Sequence, residues 1–145
     1  MPVTKPISSI FKTDPTLETK GIWVDYGESG RFLIARSGGR NRAFRNLMEQ
    51  RIKPFRAAMN AGASSDEAVE RTTRKVFSET VVLDWEQVDE LGESIPFTPD
   101  ACYKLFEELP DLFLDIMQQS QMIVNFVEET READAKGSGD SSTGE

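Results

Sequence analysis

Apolar positions along the chain fall into blocks of different period, and the blocks predict the elements. Gly21–Tyr26 (Gly-Ile-Trp-Val-Asp-Tyr) and Arg31–Arg36 (Arg-Phe-Leu-Ile-Ala-Arg) are rich in β-branched and aromatic residues. They flank Gly27-Glu28-Ser29-Gly30, which is turn chemistry, so the pair reads as a β-hairpin. A lone hairpin is marginal in water and must pack on something. The helices that follow supply the support. Phe44, Leu47, Met48, Ile52, Phe55 and Met59 recur at helical spacing after Asn41, a candidate cap. Pro54 falls inside that pattern and is expected to kink the helix or split it near Lys53. Ser64 and Glu67 have capping-box spacing. The helix they start is expected to end near Val82, or earlier if Val81-Val82-Leu83 forms a short strand.

Asp84–Pro96 has no helical period and reads as an acidic link, with Trp85 as its apolar anchor to the core. Thr98-Pro99-Asp100 is a helix start, with Thr as N-cap and Pro in the first turn. Pro110 restarts the chain, with Asp111 favourable against the helix dipole. Leu112, Phe113, Ile116, Met117, Ser120, Ile123, Val124 and Val127 then form the longest amphipathic stripe in the sequence. The fold class is therefore α+β, mainly helical with four to five helices and a small N-terminal β-hairpin. Residues 1–20, with Pro2, Pro6 and Pro15, read as an irregular arm in which Ile7–Phe11 packs on the body or adds as a strand. Residues 21–134 form a single domain, and 135–145 lack large apolar side chains and are expected to be disordered.

Composition removes several chemistries. The chain has 145 residues, no histidine and one cysteine, Cys102. An internal disulfide, a His/Cys zinc site and His-dependent nucleophile systems are excluded. The N-terminus lacks a signal-peptide apolar core and no apolar run reaches membrane-span length, so a cytoplasmic protein without a membrane partner is expected.

Charge adds an asymmetry. The formal net charge is −8. Residues 1–80 carry 14 Lys/Arg and 9 Asp/Glu, whereas residues 81–145 carry 3 and 16. Such a chain folds with its halves in contact or associates with copies of itself. Eight cations lie between Arg31 and Arg56, including Arg45 and Arg51, against Glu49 alone. That stretch is either the outer face of a core helix or a surface for phosphates. The overall acidity favours the first, so no nucleic-acid partner is expected.

Other candidates resolve to plainer readings. Asp84, Glu86, Asp89, Glu90 and Glu93 offer oxygen ligands, but their order does not match a calcium loop. Ser37-Gly38-Gly39-Arg40-Asn41 precedes a helix as phosphate loops do, yet lacks the Lys and Ser/Thr of the Walker motif. A strand-to-helix turn is the better reading. No metal, cofactor or catalytic residue is assigned. The Leu112–Val127 stripe is core, or core plus a partner surface. On the second reading Leu112, Phe113, Ile116, Met117, Ile123 and Val124, with Arg45 and Arg51, are the candidate partner-binding residues.

The order of features resembles that of the tail assembly chaperones of long-tailed bacteriophages and prophages. The residues that carry the resemblance are Gly21–Gly27, Arg31–Arg36 and the Gly39-Arg40-Asn41 turn. Val82–Val88 (Val-Leu-Asp-Trp-Glu-Gln-Val), Gly92–Thr98 (Gly-Glu-Ser-Ile-Pro-Phe-Thr) and Leu105–Leu114 with its Leu109-Pro110-Asp111-Leu112 step follow in order. The resemblance covers roughly residues 20–130. It implies a non-enzymatic protein of the host cytoplasm, absent from the mature virion, that keeps the tape-measure protein soluble and recruits tail-tube subunits. It also implies a longer frameshifted form of the same chain as a partner, and a homo-oligomer is compatible. Two other functions are weighed against it: a structural tail or connector subunit of the virion, and a nucleic-acid-binding regulator acting through Arg40–Arg56.

Overall fold

The fold is taken from a computed structural model that describes residues 2–62 and 66–128. Two short helices, α1 (Ser8–Phe11) and α2 (Pro15–Lys20), precede the strands β1 (Ile22–Asp25) and β2 (Arg31–Ile34). Helices α3 (Arg42–Asn60) and α4 (Asp66–Thr80) follow, then strand β3 (Val82–Glu86). Helices α5 (Pro99–Glu108) and α6 (Pro110–Gln121) and a 3₁₀ turn, Ile123–Phe126, end the described chain. The architecture is α+β as expected, with the hairpin extended to a three-stranded antiparallel sheet of order β1-β2-β3.

The two-residue alternation sets the hairpin's faces. Ile22, Val24, Phe32 and Ile34 turn inward, while Trp23 and Asp25 turn out. Ile22 pairs with Ile34 and Val24 with Phe32, so like faces meet across the ladder. The third strand corrects the reading of Asp84–Pro96 as a link from its first residue. Helix α4 stops at Thr80, and Val82–Glu86 pairs with β2, Phe32 opposite Trp85 and Ile34 opposite Val82. A register irregularity between Leu33 and Ile34 lets Val82 and Trp85, three apart, both face the core.

The core lies between the sheet's inner face and the helices. Phe77 of α4, Cys102 and Phe106 of α5, Phe113 and Ile116 of α6, and Phe126 meet Ile34, Val82 and Trp85 there. Edge-on ring contacts run from Tyr26 through Phe32 and Trp85 to Phe97, with centroids 5.1–6.0 Å apart. Trp85 is 5 % exposed and donates from Nε1 to the carbonyl of Ile95 at 2.8 Å, so it anchors the following segment. Tyr26 donates its hydroxyl to the Asp115 carboxylate, tying the hairpin to α6. Burial, reinforced by that carboxylate, holds the phenol well above its ordinary range.

Three other expectations change. Residues 1–20 are not an irregular arm: α1 is one helical turn, and α2 is capped by Asp14, whose side chain accepts from the Thr16 N–H at 2.7 Å. Helix α3 is not split at Pro54 but continues through it. The last amphipathic stripe is not one helix to Val127. At Met122 the backbone turns extended (φ −75°, ψ 110°), and Asn125 Nδ2 donates to the Gln119 carbonyl at 2.8 Å, closing α6. Val127 instead bridges to Thr13. Thr98 caps α5 as expected, accepting from Ala101 N–H at 3.0 Å. Ser64 of the Ser64–Glu67 capping box and the 135–145 tail lie outside the described residues.

Candidate functional site

Two features concentrate at the junction of the N-terminal helices with the loop ahead of α3: a buried carboxylate and an exposed apolar patch. The carboxylate is Glu18 on α2, which is 1 % exposed. Arg36 Nη1 donates to Glu18 Oε1 at 2.6 Å, and Arg40 Nη1 to Oε2 at 3.3 Å. The Thr13 hydroxyl and the Arg40 backbone N–H add bonds of 3.3 and 3.4 Å. Burial alone would raise the Glu18 pKa. The Arg36 and Arg40 donors, the Arg36 charge and Thr13 outweigh it and hold the carboxyl below its ordinary value.

The glycine loop makes this possible. Gly39 has φ +53°, and a Cβ there would stand 2.2 Å from Glu18 Oε1 and 2.7 Å from Arg36 Nη1. The loop considered above as a phosphate cradle is thus a strand-to-helix turn that closes around the chain's own carboxylate. Asn41, 6 % exposed, completes it. Its Nδ2 donates to the carbonyls of Arg36 (2.9 Å) and Thr80 (3.0 Å), and its Oδ1 accepts from Phe44 N–H at 3.3 Å, capping α3. An ionised carboxylate locked by two guanidinium groups is a clamp, and its lowered pKa does not suit a general base at neutral pH.

Beside the clamp is an open cleft of 590 Å³, lined by Phe11–Thr16, Arg40 and Glu128. Lys12 and Glu128 pair across it at 3.2 Å. On the outer side of the same junction the apolar residues of the arm face solvent: Ile7 is 70 % exposed, Ile10 55 % and Phe11 57 %. Helix α1 packs on the 3₁₀ turn Ile123–Phe126, where Met122 and Val124 are also exposed. Two contacting elements therefore carry several exposed large apolar side chains. Clusters of exposed apolar side chains are a recurrent feature of interaction surfaces. The spacing of Ile7, Ile10 and Phe11 (i, i+3, i+4) is the signal in the sequence that points to it.

The candidate partner-binding residues separate. Phe113 and Ile116 are buried in the core, and Leu112 and Met117 pack half-buried against it. Ile123 is half-buried and Val124 exposed, both on the 3₁₀ turn. Arg45 is exposed on α3, and Arg51 pairs with Glu79 of α4 at 3.3 Å. Only the end of the stripe reaches the patch, because the break at Met122 turns it away from α6.

The acidic segment is distributed. Arg31 binds Glu86 through two bonds of 2.7 and 2.9 Å. Asp84 accepts from Trp85 N–H at 2.8 Å, and Asp89 from Leu91 and Glu93 N–H at 2.8 and 3.0 Å. Among the described residues no three His, Cys, Asp or Glu side chains are grouped to hold a metal ion, and no helix is long and apolar enough to cross a membrane. The Cys102 thiol is enclosed. Burial, only partly opposed by Ser78, pushes its pKa up to about 12, so it is a core group rather than a nucleophile.

Comparison with known proteins gives a family. A family model described as YdaY prophage protein matches residues 39–137. No curated protein and no solved structure matches the chain.

Proposed function

The chain belongs to the YdaY prophage protein family, and from that premise we propose that it is a tail assembly chaperone. It binds the tape-measure protein through the exposed patch of α1 and the 3₁₀ turn, keeps that client soluble and recruits tail-tube subunits. It acts without catalysis in the host cytoplasm and leaves before the virion is complete. A longer frameshifted form of the chain shares the task. Three things support the reading: the prophage family, the ordered resemblance over residues 20–130, and the patch.

The patch carries it. Ile7, Ile10 and Phe11 stay in water although the body holds their segment through Lys12–Glu128 and the Thr13–Val127 bridge. A long helical client exposes apolar stripes of its own and aggregates alone. Covering them needs apolar side chains held at a surface, together with net charge for solubility.

Size exclusion of the chain co-expressed with the tape-measure protein of its own prophage tests this. The two are expected to elute together, with the complex lost in Phe11→Asp. Separate elution overturns the proposal. Detection of the chain in purified particles at fixed copy number would instead make it a structural tail subunit.

A further inference from the structure

The segment after β3 has a second property that client binding does not use. Residues 87–95 close on themselves. Val88 bridges to Ser94, Asp89 N–H donates to the Glu93 carbonyl at 2.8 Å, and Gly92 N–H to the Asp89 carbonyl at 3.0 Å. Asp89 Oδ1 binds two further N–H groups, and the Trp85 indole fixes Ile95 from below. At the tip Leu91 is 86 % exposed and Val88 57 %. Glu90 and Glu93 beside them are exposed as well. Scattered exposed leucines are ordinary. This one stands on a turn already ordered by the five hydrogen bonds named above, so docking it costs little conformational entropy.

The opposite chemistry lies on α3. That helix packs along α4, and none of its described side chains is fully buried. Leu47, Met48, Ile52 and Phe55 are only half-covered. Arg45, Lys53 and Arg56 are exposed beside them. An acidic apolar tip and a basic, incompletely covered apolar face occur on one chain. Charge complementarity selects the occupant: two α3 faces would repel each other, and so would two tips.

We propose that the 88–93 tip of one copy seats on α3 of a second copy, head to tail. In this head-to-tail arrangement the contact is heterologous and leaves one tip and one α3 face free for further copies. The contact is small and therefore weak, with a dissociation constant on the order of 100 μM. It goes beyond the chaperone proposal and does not depend on it, because its test contains no client.

Sedimentation velocity of the full chain provides the test. At low salt the average mass is expected to rise with concentration through the range of about 10–500 μM. Raising the salt is expected to weaken the association about tenfold. Leu91→Asp alone and Arg45→Glu/Arg56→Glu alone are each expected to remain monomeric. Mixed, the two variants are expected to form a one-to-one dimer and nothing larger, since one retains the α3 face and the other the tip. All the substituted side chains are exposed, and an unchanged circular-dichroism melt verifies the fold. Glu90→Lys, a second tip variant, is expected to weaken association without abolishing it. A wild-type chain monomeric throughout overturns the proposal. So does association that survives either variant, or a mixture that gives no dimer.

Discussion

Arg36 Nη1 stands 2.6 Å from Glu18 Oε1, and that carboxylate is buried while the guanidinium retains 24 % of its side-chain exposure. The pair joins α2 to the loop ahead of α3, and Arg40 adds a second, more exposed guanidinium. Glu18→Ala leaves Arg36 half-enclosed without its partner and is expected to cost about 3 kcal/mol, the low end for a broken buried pair because Arg36 reaches water. Arg40→Ala, at the exposed rim, is expected to cost less than about 1 kcal/mol. Urea unfolding of both variants checks the ranking.

The same carboxylate gives a pH dependence of known sign. Its folded pKa lies below the ordinary 4.5, so the unfolded chain binds the proton more readily. The stabilisation is fully present above about 4.5 and is lost as the pH falls through the lowered folded value. The stability gap between wild type and Glu18→Gln is therefore expected to be constant near neutrality and to narrow in acid. A gap that widens in acid contradicts the assignment.

Trp85 combines packing with one hydrogen bond, and the two can be separated. Trp85→Phe keeps an aromatic ring near Phe32 and Phe97 but removes the donor to Ile95. It is expected to cost about 1–2 kcal/mol, the scale of a stranded buried carbonyl plus some lost packing. Amide exchange of the 87–95 hairpin is expected to quicken more than that of α5.

On α6, burial sets the outcome. Ile116 is 0 % exposed, whereas Leu114, two residues earlier, is 55 % exposed. Ile116→Asp buries an unpaired charge and is expected to cost about 4 kcal/mol or more. Leu114→Asp is expected to stay within about 0.5 kcal/mol of wild type. Thermal melts of both variants distinguish a core stripe from a free one.

Cys102 reports on the intact core. With the pKa pushed up to about 12 by burial, the thiol is expected to resist alkylation in the native chain at pH 8 and to react once in denaturant. Rapid native labelling would mean that α5 does not seat as described.

Most of the fold was legible because local rules and tertiary packing agree. Thr98 with Pro99, the Gly27–Gly30 turn and the 3.6-residue stripes each specify their element without help from distant residues. The errors lie where contacts that residue spacing does not reveal decide. Val82–Glu86 is a strand because β2 offers it an edge, and its core positions are spaced three apart across an irregular register, which hides the two-residue period. Val124 continues the α6 stripe by spacing, but the Asn125 amide closes the helix before it. The clamp was invisible for the same reason: Glu18 looks like any helix carboxylate until Arg36, Gly39 and Arg40 surround it. The patch was partly legible in the spacing of Ile7, Ile10 and Phe11, overshadowed by the prolines on either side.

The most direct measurement is the soluble fraction of the prophage's tape-measure protein when it is expressed with this chain. Wild type is expected to move most of it from pellet to supernatant, and Ile10→Asp/Phe11→Asp, with an unchanged melting temperature, to leave it in the pellet. A client equally insoluble with and without the wild-type chain, or rescued equally by the double variant, would contradict the account.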